Sequence, residues 1–539
     1  MKKTKIIYIA LATALIVGSC KQENITLEAP AGPTPTTPSK GTADFTKFVA
    51  IGNSLTAGFQ SGALFNDGQA NSLPKIMANQ FATVGGGAFN QPDINSVNGF
   101  NSSASNLTAG IIRGRFILFD PDGPTGPRGP GPAASGTPTV PAPYNTADLP
   151  TAFAGNKAAL NNFAVPGILL GQSLTSFTGG PANPPGVIPP PNPAFNPFYQ
   201  RFASNPGTST IIGDAVAAQG SFFLFDLGNN DVLGYATTGG TFPITSTAAF
   251  QAQYSLAMAT LLANPEVEGI VGNIPDVTTI PFFRTVLFNA IPMDVPTAAA
   301  VNGGFAGYNA ILDAIKGNAG LVALLGTTAE GLDARKISFA AIPNNQIVIA
   351  DKTLPDLGPA LDVLAGLGAI TAPQRAQLTL YQRVREANSG DLITLSAGAV
   401  LGTIVGGNPL LVTGVSVPLA DNFVLLPSEI TNCRNAVTAF NGIIKAAADN
   451  SNNRLALADV NAAFTSLVLS RIQTYNGVSI SPGFAPPTGA FSEDGVHPNS
   501  RGYAFMANIF IAAINAKFNA TVPLADLSKY KGTALPVNP

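Results

Sequence analysis

Histidine is almost absent from this chain: among 539 residues there is one, His497. A single imidazole excludes every metal site built from two or more histidines. It also means that a reaction needing an imidazole base at neutral pH must run through His497 or not run at all. Charge is scarce as well. Lys and Arg number 28 and Asp and Glu 30, so 11% of the residues are charged, against roughly 25% in ordinary soluble domains. With a formal net charge of −2 and no basic block, nothing is present to neutralise a run of phosphates, and no nucleic-acid partner is expected. There are only two cysteines, Cys20 and Cys433. Glycine and proline, 56 and 45 residues, make up about a fifth of the chain, short of the roughly 25–30% that marks wholesale disorder. Hydrophobic residues at 45% are ample for a large core.

What is present begins with a leader. Residues 1–20 read MKKTKIIYIALATALIVGSC, with Lys2, Lys3 and Lys5 ahead of a 12-residue uncharged run, Ile6 to Val17. That run is too short to span a bilayer, which takes roughly 20 residues, but it suits the apolar centre of a signal peptide. Gly18 and Ser19 then lead into Cys20. The arrangement resembles the lipobox of bacterial lipoproteins; an ordinary secretory signal with an incidental cysteine is the other reading. The lipobox resemblance implies a signal peptide over residues 1–19, lipidation of Cys20 and a membrane contact through that anchor. The address would be the cell envelope, at the outer membrane. Cys433 would then have no partner, so no disulfide is expected. Residues 20–43 carry the lipidated cysteine and a tether rich in proline and threonine.

Beyond the tether, four short apolar runs each stop at Gly, Asn or Pro: Phe45 to Ile51, Ser221 to Leu227, Val267 to Ile274 and Leu455 to Val460. Such runs suit the central strands of a parallel sheet. Helical patterns lie between and after them, at Ala248 to Leu262, Gln374 to Ala387, Ile430 to Ala448 and Arg501 to Phe518. The alternation predicts an α/β domain. Insertions rich in Gly, Pro or Ala interrupt it at 120–143, 179–207 and 284–420. Within the last, Leu392 to Ala420 carries no charge over 29 residues, but Gly406-Gly407-Asn408-Pro409 splits it, and a buried hairpin is expected.

Four segments carry side chains suited to acyl chemistry. Gly52-Asn53-Ser54-Leu55 follows the first strand, at the edge of the sheet where α/β enzymes place their ligands. A helix opening there would offer free N–H groups to a developing oxyanion, although a serine at such a place also suits a simple cap. In Asp494-Gly495-Val496-His497-Pro498 a carboxylate three residues before the imidazole can reach back and fix its tautomer. Gly228-Asn229-Asn230-Asp231 ends the second strand; an asparagine amide there can donate without adding charge, and the same residues suit a plain turn. Ala164-Val165-Pro166-Gly167 offers a glycine N–H open to close approach.

Taken together and in this order, the four blocks resemble the SGNH/GDSL hydrolase family, in particular its large lipoprotein members. The resemblance runs from residue 52 to 498 and departs at Asn53, where the family name has Asp; little effect on the chemistry is expected, since Asn53 is not the nucleophile. It implies a three-layer α/β/α, flavodoxin-like domain over 44–530, with a central parallel sheet and the three insertions. It further implies a Ser54–His497–Asp494 triad and an oxyanion hole formed by Ser54, Gly167 and Asn230. The reaction would be hydrolysis of carboxylic esters, acyl or acetyl groups of lipids or glycans, with no metal or organic cofactor. A non-catalytic surface lipoprotein that binds glycan or a protein partner on the same scaffold is the alternative. The 284–420 insertion is expected to act as a cap over the site.

Overall fold

The computed structural model describes residues 37–125, 129–183 and 192–539. The expected signal peptide, Cys20 and most of the tether lie outside the described residues, as do the 126–128 and 184–191 stretches of two insertions.

The four apolar runs pair into one parallel sheet: β1 (Phe48–Gly52), β2 (Phe222–Asp226), β3 (Glu268–Gly272) and β4 (Leu455–Ala458). Their order in space is their order in the chain. Phe48 pairs with Phe222 and Gly52 with Asp226, so the ends of β1 and β2 are level. Outside β1, Asn162 makes a parallel bridge to Ala50, which carries the 162–167 segment along the same edge. Every residue of β1 and β2 is buried. Strands covered on both faces read as continuous apolar runs, which is why they were legible in the sequence.

The helices that matter for the site are α1 (Ser54–Ala57), α2 (Leu73–Phe81), α3 (Asn230–Thr237), α4 (Thr247–Leu261), α5 (Pro427–Asp449) and α6 (Ser500–Phe518). α6 packs on β3, β4 and α2, whereas α5 packs on α3, α4, β3 and β4. Phe222 packs toward α2 and α6 through Phe81 and Phe518, whereas Phe225 packs on Tyr254 of α4, and Phe250 of α4 stacks on Phe440 of α5. Cys433 lies buried and unpaired on α5.

The 284–420 insertion has its own apolar centre, including Phe305, Leu312, Ile315, Ile349, Leu361 and Leu419. Its backbone departs from the helix expected over Gln374 to Ala387. The helix there spans only Ala372–Gln377, and Val384–Glu386 pairs antiparallel with Val348–Ala350. A buried charge cluster fixes that pairing. Arg385 Nε lies 2.6 Å from Asp351 Oδ2, and its Nη1 and Nη2 each lie 2.7 Å from Asp391. A helix through Arg385 would break this tertiary arrangement, which local periodicity cannot register.

The uncharged 392–420 stretch is only partly the buried hairpin expected. Ile393 and Leu419 are buried at its base, but Ile404, Val405 and Leu410 are exposed around the Gly406–Pro409 turn, Leu410 to 78%. No helix among the described residues is long and apolar enough to cross a membrane. Within the proline-rich 120–143 segment, Gly131–Ala134 pairs antiparallel with Phe116–Phe119.

Candidate active site

The site begins where β1 ends. A Cβ on Gly52 would sit 2.0 Å from Thr56 Oγ1, so glycine is what lets the chain turn straight from strand into α1. Asn53 caps that turn: its Oδ1 accepts from Leu55 N–H at 3.0 Å. Because Asn53 does the capping, the Ser54 hydroxyl is left for other work. α1 has four residues, so the axial dipole anticipated behind Ser54 is that of a single turn.

The Ser54 hydroxyl points at the imidazole. Ser54 Oγ lies 2.8 Å from His497 Nε2, and His497 Nδ1 lies 2.9 Å from Asp494 Oδ2. Asp494 is held from several sides. Its Oδ1 accepts from the N–H groups of Val496 and His497, each at 2.9 Å, and its Oδ2 accepts from Gly62 N–H at 2.8 Å. Ser492 Oγ donates to Asp494 Oδ1 at 3.1 Å and itself accepts from Ser61 N–H at 2.8 Å. Burial works to raise the Asp494 carboxyl, but the His497 charge and these hydrogen bonds outweigh it and hold the group below the usual carboxylate range. A carboxylate so placed accepts from Nδ1–H and leaves Nε2 as the basic nitrogen facing Ser54. Gly495, at φ +71°, makes the three-residue return from Asp494 to His497. A Cβ there would lie 2.9 Å from Phe282 N and 3.0 Å from Leu395 Cδ2. Phe59 packs on the imidazole with ring centroids 4.9 Å apart.

The second wall comes from β2. Asn230 opens α3, and its Nδ2 donates to Ile168 O at 2.8 Å. Asp231 accepts from Leu170 N–H at 2.9 Å and from the Thr245 hydroxyl at 2.7 Å. The Asn230–Ile168 and Asp231–Leu170 bonds tie the 167–170 turn to the head of α3. Gly167 itself is exposed at φ +80°, two residues beyond Val165, whose N–H donates to Gly52 O at 3.0 Å.

Comparison with protein-family models, curated proteins and solved structures returns no match.

Ser54 and His497 share a cleft of about 50 Å³ with Asn53, Asn229 and Asn230, and its apolar walls are Leu55, Leu233, Pro275, Val277, Ile280 and Val496. Of the residues singled out in the sequence, Ser54, Asn230 and His497 line this cleft, Asp494 backs His497, and Gly167 stays outside the lining. None of the lining residues belongs to 284–420. The insertion therefore does not form a wall of the cleft; its Leu395 reaches Gly495, in the loop that carries His497.

Sequence reasoning gave no role to Asn53, Gly62, Ser492 or Asp231, which position the reactive groups. Asp231 closes the Gly228-Asn229-Asn230-Asp231 segment, and its two acceptor bonds depend on residues 61 and 14 positions away. Asp226 was also passed over. It ends β2 directly behind Gly52, and burial pushes its carboxyl up to about 7 against the smaller opposing pull of Asn229 and Thr56. Asp226 Oδ2 and Thr56 Oγ1 are both buried without a well-formed hydrogen-bond partner.

Proposed function

We propose that this chain is a serine ester hydrolase of the SGNH/GDSL type, on a three-layer flavodoxin-like α/β/α scaffold. The observation that carries the reading is the continuous relay from Ser54 Oγ through His497 to Asp494, at 2.8 and 2.9 Å. Ser54 attacks the ester carbonyl while His497 Nε2 takes its proton, and Asp494 stabilises the imidazolium that forms. The alcohol leaves with that proton. Water then cleaves the acyl-enzyme, with His497 again acting as base.

The tetrahedral oxyanion falls to three donors. Ser54 N–H sits in the first helical turn and has no intrahelical partner. Asn230 Nδ2 spends one proton on Ile168 O and retains a second. Gly167 N–H is the third, carried on the turn that Asn230 and Asp231 secure. Removal of one such donor typically raises the barrier by about 2.7–4 kcal/mol. On the same reading the domain is held at the cell envelope by lipid on Cys20, as the leader sequence suggests.

The test is covalent labelling of the full chain with a fluorophosphonate, mapped by mass spectrometry and paired with an ester assay. An adduct on Ser54 that disappears in His497→Ala is expected. Ser54→Ala is expected to lower turnover at least about a thousandfold. Normal turnover by Ser54→Ala sinks the assignment. A folded wild-type chain that takes no label and cleaves no ester favours the binding lipoprotein instead.

A further inference from the structure

Resting on the esterase reading above, we propose that the site selects short acyl groups of two to four carbons. Three observations carry this.

The first is size. The cleft beside Ser54 measures about 50 Å³, whereas pockets that enclose drug-sized ligands run to roughly 300–1,000 Å³. It can enclose one end of an ester, not both. The second is chemistry. Leu55, Leu233, Pro275, Val277, Ile280 and Val496 make most of the wall, and no Asp, Glu, Lys or Arg side chain takes part. An aliphatic acyl group suits these walls, since it loses no hydrogen bonds to water on entering. The acyl end of the ester therefore enters, and its leaving oxygen stays within reach of His497 for protonation on departure.

The third is the absence of a continuation from this cleft into the larger apolar spaces. A groove of about 650 Å³ lies between α4 and α5, around Tyr254, Met258, Leu262 and Ile443, and shares no lining residue with the Ser54 cleft. A second space of about 410 Å³, around Ile51, Val216 and Phe223, shares none either. Neither of these two spaces offers an extension for a long alkyl chain on Ser54, and forcing such a chain against Val277 and Ile280, both buried, means overpacking. The half-buried Leu233 on α3 is the wall residue whose truncation should lengthen the cleft with least disturbance to the core.

The experiment is a chain-length series on the full chain, using p-nitrophenyl acetate, butyrate and octanoate, with fluorophosphonate labelling of Ser54 on the same preparation. The expected result is kcat/KM for octanoate at least about tenfold below that for butyrate, with the gap narrowed several-fold in Leu233→Ala. An extensible groove predicts the opposite, a gain of about fourfold for each added methylene, and that result overturns the proposal while leaving the esterase reading intact. Failure to cleave any of the three esters, together with an unlabelled Ser54, overturns both. The wild-type series decides the matter even if Leu233→Ala does not fold.

Discussion

Ser54 and His497 stand 443 residues apart in the chain, yet Ser54 Oγ lies 2.8 Å from His497 Nε2. The approach is set by two anchors of different kinds. β1 and its Gly52 turn fix Ser54 at the edge of the sheet. The 492–497 loop is pinned to the 61–62 turn by Ser61 N–H on Ser492 and Gly62 N–H on Asp494. The loop that carries the base is thus tied to the chain just beyond the nucleophile.

Asp494→Asn tests the orientation of the imidazole. The amide can still accept from the Val496 and His497 N–H groups, so the loop should remain folded. What is lost is the negative partner of His497 Nδ1, the tautomer it selects and the acceptor for Gly62 N–H, while the Ser61–Ser492 bond still holds the loop. A fall in kcat on the order of 10⁴-fold is expected, with a thermal midpoint close to wild type. A reduction under tenfold would show that Asp494 does not act on the imidazole.

Asn53 separates capping from donation. Asn53→Asp keeps an oxygen for Leu55 N–H, whereas Asn53→Ala removes the cap and should destabilise the protein by about 0.5–2 kcal/mol. If the cap is what positions Ser54, Asn53→Asp retains ester turnover within about threefold and Asn53→Ala does not. Asn53 Nδ2 lies buried with no hydrogen-bond partner among the described residues. Equal losses of kcat in the two variants would instead assign the effect to that donor.

Asp226 gives the fold a pH dependence of defined sign. Its carboxyl sits at about 7 when folded, above the roughly 3.9 of an unfolded aspartate. Between those values the native state holds more protons than the unfolded chain, so stability declines as pH rises through that window. The slope from this one group approaches about 1.4 kcal/mol per pH unit. Asp226→Asn should remove it, so the variant gains on wild type when denaturant midpoints are measured at pH 5 and then at pH 8. Parallel pH profiles for the two proteins would refute the assignment.

Arg385 governs the insertion. It stands between Asp351 and Asp391, whose side chains are 4% and 0% exposed. Arg385→Met leaves two buried carboxylates without their cation, and a loss of about 3–5 kcal/mol is expected in urea unfolding. A loss under 1 kcal/mol would mean that water or other donors reach both carboxylates.

Much of the sheet is legible in the sequence. The runs at Phe48, Phe222, Ile270 and Leu455 are apolar on both faces because helices cover both, and that signal survives in one dimension. α4, α5 and α6 were legible too, within a few residues at each end. The insertion was read less well. The strand at Val384–Glu386 owes its state to pairing with Val348–Ala350 and to two aspartates outside its own segment. Ile404 and Leu410 are as apolar as Ile393 and Leu419, and only the placement of the turn leaves the first pair exposed.

By itself the sequence determined the chemical inventory. One histidine can serve only one imidazole-dependent site, the Asp494 to His497 spacing lets a carboxylate reach that ring, and a glycine before Asn53 allows the strand to turn sharply into Ser54. These are matters of residue type and short-range geometry, which chain connectivity fixes. Tertiary structure decided which groups meet and how much room surrounds them. The 2.8 Å contact across 443 residues, the Gly62 bond on Asp494, the Ser61 bond on Ser492 and the meeting of Val277 and Ile280 with Ser54 in one cleft all depend on packing between distant segments. No local pattern encodes them, because each distance is set by side chains that belong to other elements.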